Sequence, residues 1–306
     1  MNHLAIASAN PTISWKLWTD INQILAFHFM VNALRAATAA AVVAGVVGWF
    51  MVLRRQTFAG HTLSLIAFPG AAGATWLGIS ALWGYFGFCI VGALIIGAAT
   101  DQDRRSLSNE TAVIGVVQAF GLACGFLFVM LSKGFLNETV SLLFGTFLGV
   151  TDHQVIVLVC VAAAAVLATA SFGRRLLFTS VDPAVAAARG VPARLTGTVF
   201  LLVLGIAVAE ISQITGALLV FALLVMPAAA SQQMTARPLG GMLLSVLLSV
   251  VIAWVGVGLS YYYSDYPTGF FVTTVGFAVY VASIAGHTVA ERKRRRFDVP
   301  AALSPA

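Results

Sequence analysis

Few side chains in this 306-residue chain could bind a ligand or do chemistry, and they are widely separated. His61 stands alone near the start of an apolar run, Asp152 and His153 are adjacent, and Asp265 follows a run of tyrosines. Imidazole nitrogens and carboxylate oxygens are common ligands of divalent metal ions, and such groups near the mouth of a transport path attract cations. We therefore treat these four residues as candidate metal ligands, although each could equally be a solvated residue of a loop or boundary.

No enzyme motif accompanies them. None of the lysines has the neighbours of a phosphate-binding G-x-x-x-x-G-K-[ST] loop, and neither G-x-S-x-G nor H-E-x-x-H occurs. Cys89, Cys124 and Cys160 each lie alone within an apolar run, which predicts buried thiols rather than disulfides or a zinc site. We expect no catalysis by this chain and no cofactor bound to it.

The elements that must position the candidate ligands are membrane-spanning helices. The chain is 60% hydrophobic and only 9% charged, with a mean hydropathy of +0.95. Its net charge of +6 does not indicate nucleic-acid binding, because the basic residues lie in small clusters between apolar runs. We predict an all-α, polytopic integral membrane bundle that forms a single domain over residues 1–306 and contacts membrane lipid.

The apolar runs predict nine spans with short connections, each of about 20 residues. They cover approximately 27–53, 60–78, 81–100, 111–131, 154–172, 195–209, 215–231, 241–260 and 269–285. Residues 1–26 resemble an interfacial segment with tryptophan anchors, and 141–150 are too few to cross, so they are expected to be re-entrant or interfacial. Pro69, Gly70 and Pro227 predict a kink or break in their helices.

The placement of basic residues predicts the orientation of these spans. Of the 17 Lys and Arg residues, 14 fall on the side predicted to be cytoplasmic and 3 near the outer face. The chain is therefore expected in a prokaryotic cytoplasmic (inner) membrane, with its N-terminus outside. Residues 291–306 would form a cytoplasmic tail.

One cytoplasmic segment, residues 180–192, is expected to be a short helix with its own ends. Asp182 can cap the first turn, Pro183 suits the first helical position and Gly190 suits the stop. The segment is too short to cross a bilayer. It could be the contact through which a soluble partner moves the membrane spans, or it could be an ordinary connecting loop.

Four blocks of the sequence resemble permeases of the zinc, manganese and iron ABC importer family: residues 54–70, 182–192, 215–230 and 260–269. This resemblance implies a homodimeric permease that works by alternating access and carries zinc or manganese. It also implies two ATP-binding cassette ATPase subunits, which alone bind and hydrolyse ATP, and an extracytoplasmic metal-binding protein. The ATPase-coupling residues implied by the motif are Asp182, Pro183, Ala186, Gly190, Val191 and Pro192.

The chain departs from the family at one position that matters for the metal. The family usually has an acid and a histidine four residues apart on one face of the second span, where this chain has His61 and Leu65. His61 is then at best one metal ligand, or a polar residue at the inner membrane boundary. Two alternatives stay open: a secondary transporter, and a degenerate permease homologue without tight metal binding.

Overall fold

The computed structural model describes residues 22–102, 107–132, 142–145, 149–217, 219–263 and 265–297. Ten helices of six or more residues account for most of these ranges, which contain no strand. The helices are α1 (His28–Leu53), α2 (Thr57–Trp76), α3 (Ala81–Gln102), α4 (Leu107–Leu131), α5 (Asp152–Val181), α6 (Pro183–Ala188), α7 (Ala193–Thr215), α8 (Val220–Met234), α9 (Pro238–Tyr262) and α10 (Thr268–Phe297).

The nine helices other than α6 occupy the nine predicted spans, which confirms the all-α membrane fold. Seven of them are long and apolar enough to cross a membrane within the described part of the chain. The other two are α2, which carries several polar residues, and α8, which has 15 residues. Most of α2 is buried by its neighbours. A helix that contacts protein rather than lipid does not need an apolar surface. The hydropathy of α2 is therefore lower than that of the lipid-facing spans, although α2 lies inside the bundle.

Close approach of small residues holds the bundle together. An added Cβ at Gly70 of α2 would lie 2.2 Å from the carbonyl oxygen of Gly84 in α3, and one at Gly45 of α1 would meet the backbone of Val246 in α9. In a bilayer the hydrophobic effect does not drive helices together, because lipid tails are as apolar as the helices. Close van der Waals contacts of this kind therefore stabilise the bundle.

The sequence predicts a kink or a break at Pro69, Gly70 and Pro227; the structure excludes a break, and the kink stays a prediction. Both α2 and α8 continue through their prolines. A proline removes one backbone hydrogen bond, whereas a break would free several polar groups in an environment without water to satisfy them. α2 also packs against α3 and α4 along its length.

One further expectation is wrong. Cys160 is exposed and Cys124 half-buried, and of the three thiols only Cys89 is buried, because an apolar side chain can face lipid as readily as the core. Within the tail predicted at 291–306, the described residues are helical as far as Phe297, since Glu, Lys and Arg are good helix formers. Residues 1–21 and 298–306 lie outside the described residues.

The segment predicted to be re-entrant at 141–150 is described at 142–145 and 149–150. Its residues 142–144 form one helical turn against the end of α7, where the amide of Ala217 donates to the carbonyl of Leu142 at 3.1 Å. Gly145 and Gly216 have positive φ angles of 77° and 75° and pack backbone to backbone. Side chains at either glycine would prevent this contact.

Candidate functional sites

The short helix α6 has the local geometry that its sequence predicts. The Asp182 carboxylate accepts a hydrogen bond from the amide of Val185 at 2.9 Å, and Pro183 occupies the first helical position. At the other end Gly190 has a φ of 76°, and the amides of Gly190 and Val191 donate to the last turn at 3.0 Å each. The residues from Asp182 to Val191 therefore specify both ends of α6 without help from the bundle.

α6 lies between α5 and α7 and presents one side outward. Ala186 is fully buried against the bundle, whereas Ala184, Val185, Ala187 and Ala188 are exposed. The exposed residues are small, so the backbone of the helix is accessible to another surface. Such a ridge can fit a groove in a partner protein.

Arg54 connects the end of α1 to the end of α5, immediately before α6. Its guanidinium donates hydrogen bonds to the hydroxyls of Thr179 and Ser180 at 3.1 and 3.3 Å and to the side-chain carbonyl of Gln56 at 3.3 Å. The same group lies 5.5 Å from the centroid of the Phe200 ring in α7. Burial lowers the pKa of Arg54 from its ordinary value, but a guanidinium stays charged in proteins.

A polar cluster lies at the opposite end of α1. The Nε2 atom of His28 is 3.1 and 3.2 Å from the two carboxylate oxygens of Asp152, the first residue of α5. The amide nitrogen of Asn32 donates to the same carboxylate at 2.9 Å, and its buried Oδ1 has no hydrogen-bond partner among the described residues. His28 and Asp152 are largely exposed, so a cation from solution can reach them.

The other two candidate ligands near this end are solvent-exposed. His153 follows Asp152 in the first turn of α5, and Asp265 lies in the turn between α9 and α10. The Phe27 and Tyr261 rings, 5.9 Å apart, place the end of α9 beside the start of α1. The candidate ligands Asp152, His153 and Asp265 thus lie at one end of the bundle, but of these three only Asp152 has the close polar partners described above.

His61 lies far from that cluster. It is near the start of α2, where Gly60 contacts Met51 close to the end of α1. From His28 to Met51 a helix rises about 35 Å, so the two places cannot form one site. The His61 ring packs against Phe221 at 4.8 Å, and its Nδ1 is buried without a partner among the described residues. Leu65, one turn further along, is 8% exposed.

The interior also contains one carboxyl group that the sequence did not single out as central. Glu210 in α7 is fully buried, and neither of its oxygens has a hydrogen-bond partner among the described residues. No group of three or more His, Cys, Asp or Glu side chains suited to a metal occurs in that part of the chain. The described part of the bundle therefore presents single ligands and pairs rather than a preformed cage.

The residues that sequence reasoning missed are His28, Asn32 and Arg54. His28 and Asn32 are four residues apart and so share one face of α1, which is a weak signal on its own. Their partner Asp152 is 124 and 120 positions away in the sequence, and only packing of α1 on α5 brings them together. The sequence indicates Arg54 only as an orientation signal and as the first residue of the block 54–70 that resembles the family.

Comparisons with known proteins agree with this architecture. The family model described as the ABC 3 transport family matches residues 26–287. A manganese import system permease protein, ScaB of Streptococcus parasanguinis, is 29% identical over 241 residues, which are 79% of this chain and 85% of that protein. An uncharacterized membrane protein of Synechocystis sp. is 27% identical over 263 residues, or 86% and 92% of the two chains. The solved structure of PsaBC from Streptococcus pneumoniae in complex with Fab has a TM-score of 0.77 and 26% identity, and the match covers 87% of this chain and 95% of that one.

Proposed function

The chain belongs to the ABC 3 transport family, and from that premise we propose that it is the permease subunit of an ATP-driven importer for a divalent transition metal ion. The observation that carries this proposal is α6, a capped helix with an outward ridge of small residues at one end of a membrane bundle. Because α6 is connected to two long helices, a soluble ATPase that displaces α6 would also move those helices in the membrane.

The partners follow from the same proposal. Two ATPase subunits would bind a permease homodimer at the α6 end, which the distribution of basic residues predicts to be cytoplasmic. An extracytoplasmic metal-binding protein would deliver the ion at the other end, where Asp152, His153 and Asp265 lie. Alternating access would then expose the path first to one side and then to the other.

We favour manganese over zinc as the transported ion. ScaB, a relative, bears the name of a manganese import permease. The cluster offers one exposed imidazole and one exposed carboxylate, with the buried amide oxygen of Asn32 beside them, and carboxylate and amide oxygens are ligands that suit manganese. His61 would be a second, weaker contact on the way in.

A family member without tight metal binding is the second candidate. Leu65 favours it, because an apolar side chain stands where a second ligand would complete a pair with His61. Under this alternative the chain would still bind the ATPase through α6 but would carry no metal.

Reconstitution would test the proposal. The permease is purified together with its ATPase, placed in liposomes, and supplied with radioactive manganese or zinc with and without ATP. We expect ATP-dependent uptake, with manganese taken up at lower concentration than zinc. A permease that binds the ATPase but accumulates neither ion would support the second candidate, and one that retains no ATPase would contradict both. An ATPase with its catalytic glutamate replaced is the control for ATP dependence.

A further inference from the structure

Arg54 contacts both of the helices that flank α6 in the chain, α5 and α7. It ends α1, donates to the last turn of α5 just before α6, and lies over Phe200 in α7 just after it. An added Cβ at Gly197 would lie 3.5 Å from its Nη2, so α7 also approaches this guanidinium closely. We propose that Arg54 is the positioning residue through which a displacement of α6 reaches α1 and α2.

The chemistry of the contact suits a rigid link. Thr179 and Ser180 donate their own hydroxyl hydrogens to carbonyls of α5, at 2.9 Å to Arg175 and 2.5 Å to Leu176. Their oxygens are therefore oriented as acceptors toward Arg54. A guanidinium is planar and has several fixed donors, so it resists rotation of the two helix ends against each other better than a lysine ammonium would.

The link continues toward the candidate metal ligand. Arg54 also donates to Gln56, the residue that precedes the first turn of α2. His61 lies in the next turn of that helix. Because α2 is a continuous helix, a shift at its start moves His61 with it. This role rests on the proposed function, because it requires an ATPase that displaces α6.

Hydrogen exchange of the purified permease tests the mechanical link without an ATPase or a metal. The variants are Arg54→Gln and Arg54→Lys, and the matched control is Arg55→Gln, which removes the same charge from an exposed neighbour. We expect faster exchange in both α6 and the first turn of α2 for Arg54→Gln, an intermediate effect for Arg54→Lys, and wild-type exchange for the control. Unchanged exchange in either segment of the Arg54→Gln variant would overturn the proposal.

Transport measurements separate a positioning role from a purely structural one. In proteoliposomes with the ATPase, Arg54→Lys should retain ATPase binding and ATP hydrolysis but lower the manganese moved per ATP by about tenfold, the scale of one lost hydrogen bond to a charged group. Thr179→Val removes one hydrogen-bond acceptor of Arg54 and keeps the side-chain volume. It should also lower the manganese moved per ATP, and it provides the test if Arg54→Gln does not fold. A normal ratio in both variants would refute the role. If the wild type itself moves no manganese, the proposed function fails, and the hydrogen exchange still decides whether the link exists.

Discussion

Replacement of Gly190 by valine should weaken binding of the ATPase while the membrane bundle stays folded. Gly190 has a φ of 76°, which is left-handed backbone, and an added Cβ there would meet no atom within 4 Å. The cost is therefore conformational rather than steric, about 1–2 kcal/mol for a residue with a side chain. Because α6 has six residues, loss of its last turn would remove much of the docking surface.

The expected loss of affinity follows from that cost. If α6 must be helical to dock, 1–2 kcal/mol corresponds to roughly 5- to 30-fold weaker binding. Asparagine tolerates left-handed backbone better than alanine, and valine worst, so affinity should fall in the order Gly, Asn, Ala, Val. A side chain that only obstructed the docked ATPase would instead lower the affinity in the order of side-chain size, Gly, Ala, Asn, Val, so the relative positions of Asn and Ala distinguish the two causes.

The assay is equilibrium binding of the purified ATPase to the detergent-solubilised permease. Gly87→Val is the matched control, since Gly87 also has open space around it but lies within α3 with ordinary helical backbone. The control should bind as the wild type does. If Gly190→Val binds with wild-type affinity, or if all four residues at position 190 behave alike, the conformation of this helix end does not govern docking.

Three further predictions concern ligands in the bundle, and a fourth concerns its orientation. His61→Ala should reduce manganese uptake. Leu65→His should increase the metal retained by purified protein, because this substitution places two ligands on one helical face. Normal uptake by the first variant and no added metal in the second would exclude this face from the transport path. Asp152→Asn should raise the manganese concentration needed for half-maximal uptake with little change in the maximal rate, and an unchanged concentration would argue that the cluster only joins α1 to α5. Glu210→Leu should raise the free energy of unfolding by about 1–3 kcal/mol, since it removes a buried carboxyl without partners; a lower thermal midpoint would mean that the carboxyl has a bound partner such as water or an ion. A green fluorescent protein fused to the C-terminus should fluoresce in cells, whereas an alkaline phosphatase fused there should be inactive, and the reverse pattern would contradict the predicted orientation.

The membrane fold was predictable from the sequence because each span satisfies its own backbone hydrogen bonds. Lipid offers no alternative partners, so length and hydropathy determine where helices form. The same independence made α6 predictable, since its cap, its first proline and its final glycine act within a few residues of one another. Of the kink or break expected at Pro69 and Pro227, the structure excludes the break, because a proline removes only one backbone hydrogen bond and unwinding in lipid would free several.

The same distinction between local sequence and tertiary packing applies to the candidate sites. The sequence by itself determined that the chain is a helical membrane protein and where α6 begins and ends. That Leu65 stands at a ligand position paired with His61 stays an expectation from the resemblance. Only the tertiary structure decided that Asp152 meets His28 and Asn32, that Arg54 joins α1 to the ends of α5 and α7, and that Glu210 lies buried. Helix formation is local, whereas these contacts depend on how long helices pack, and packing in lipid is set by shape between residues more than 100 positions apart.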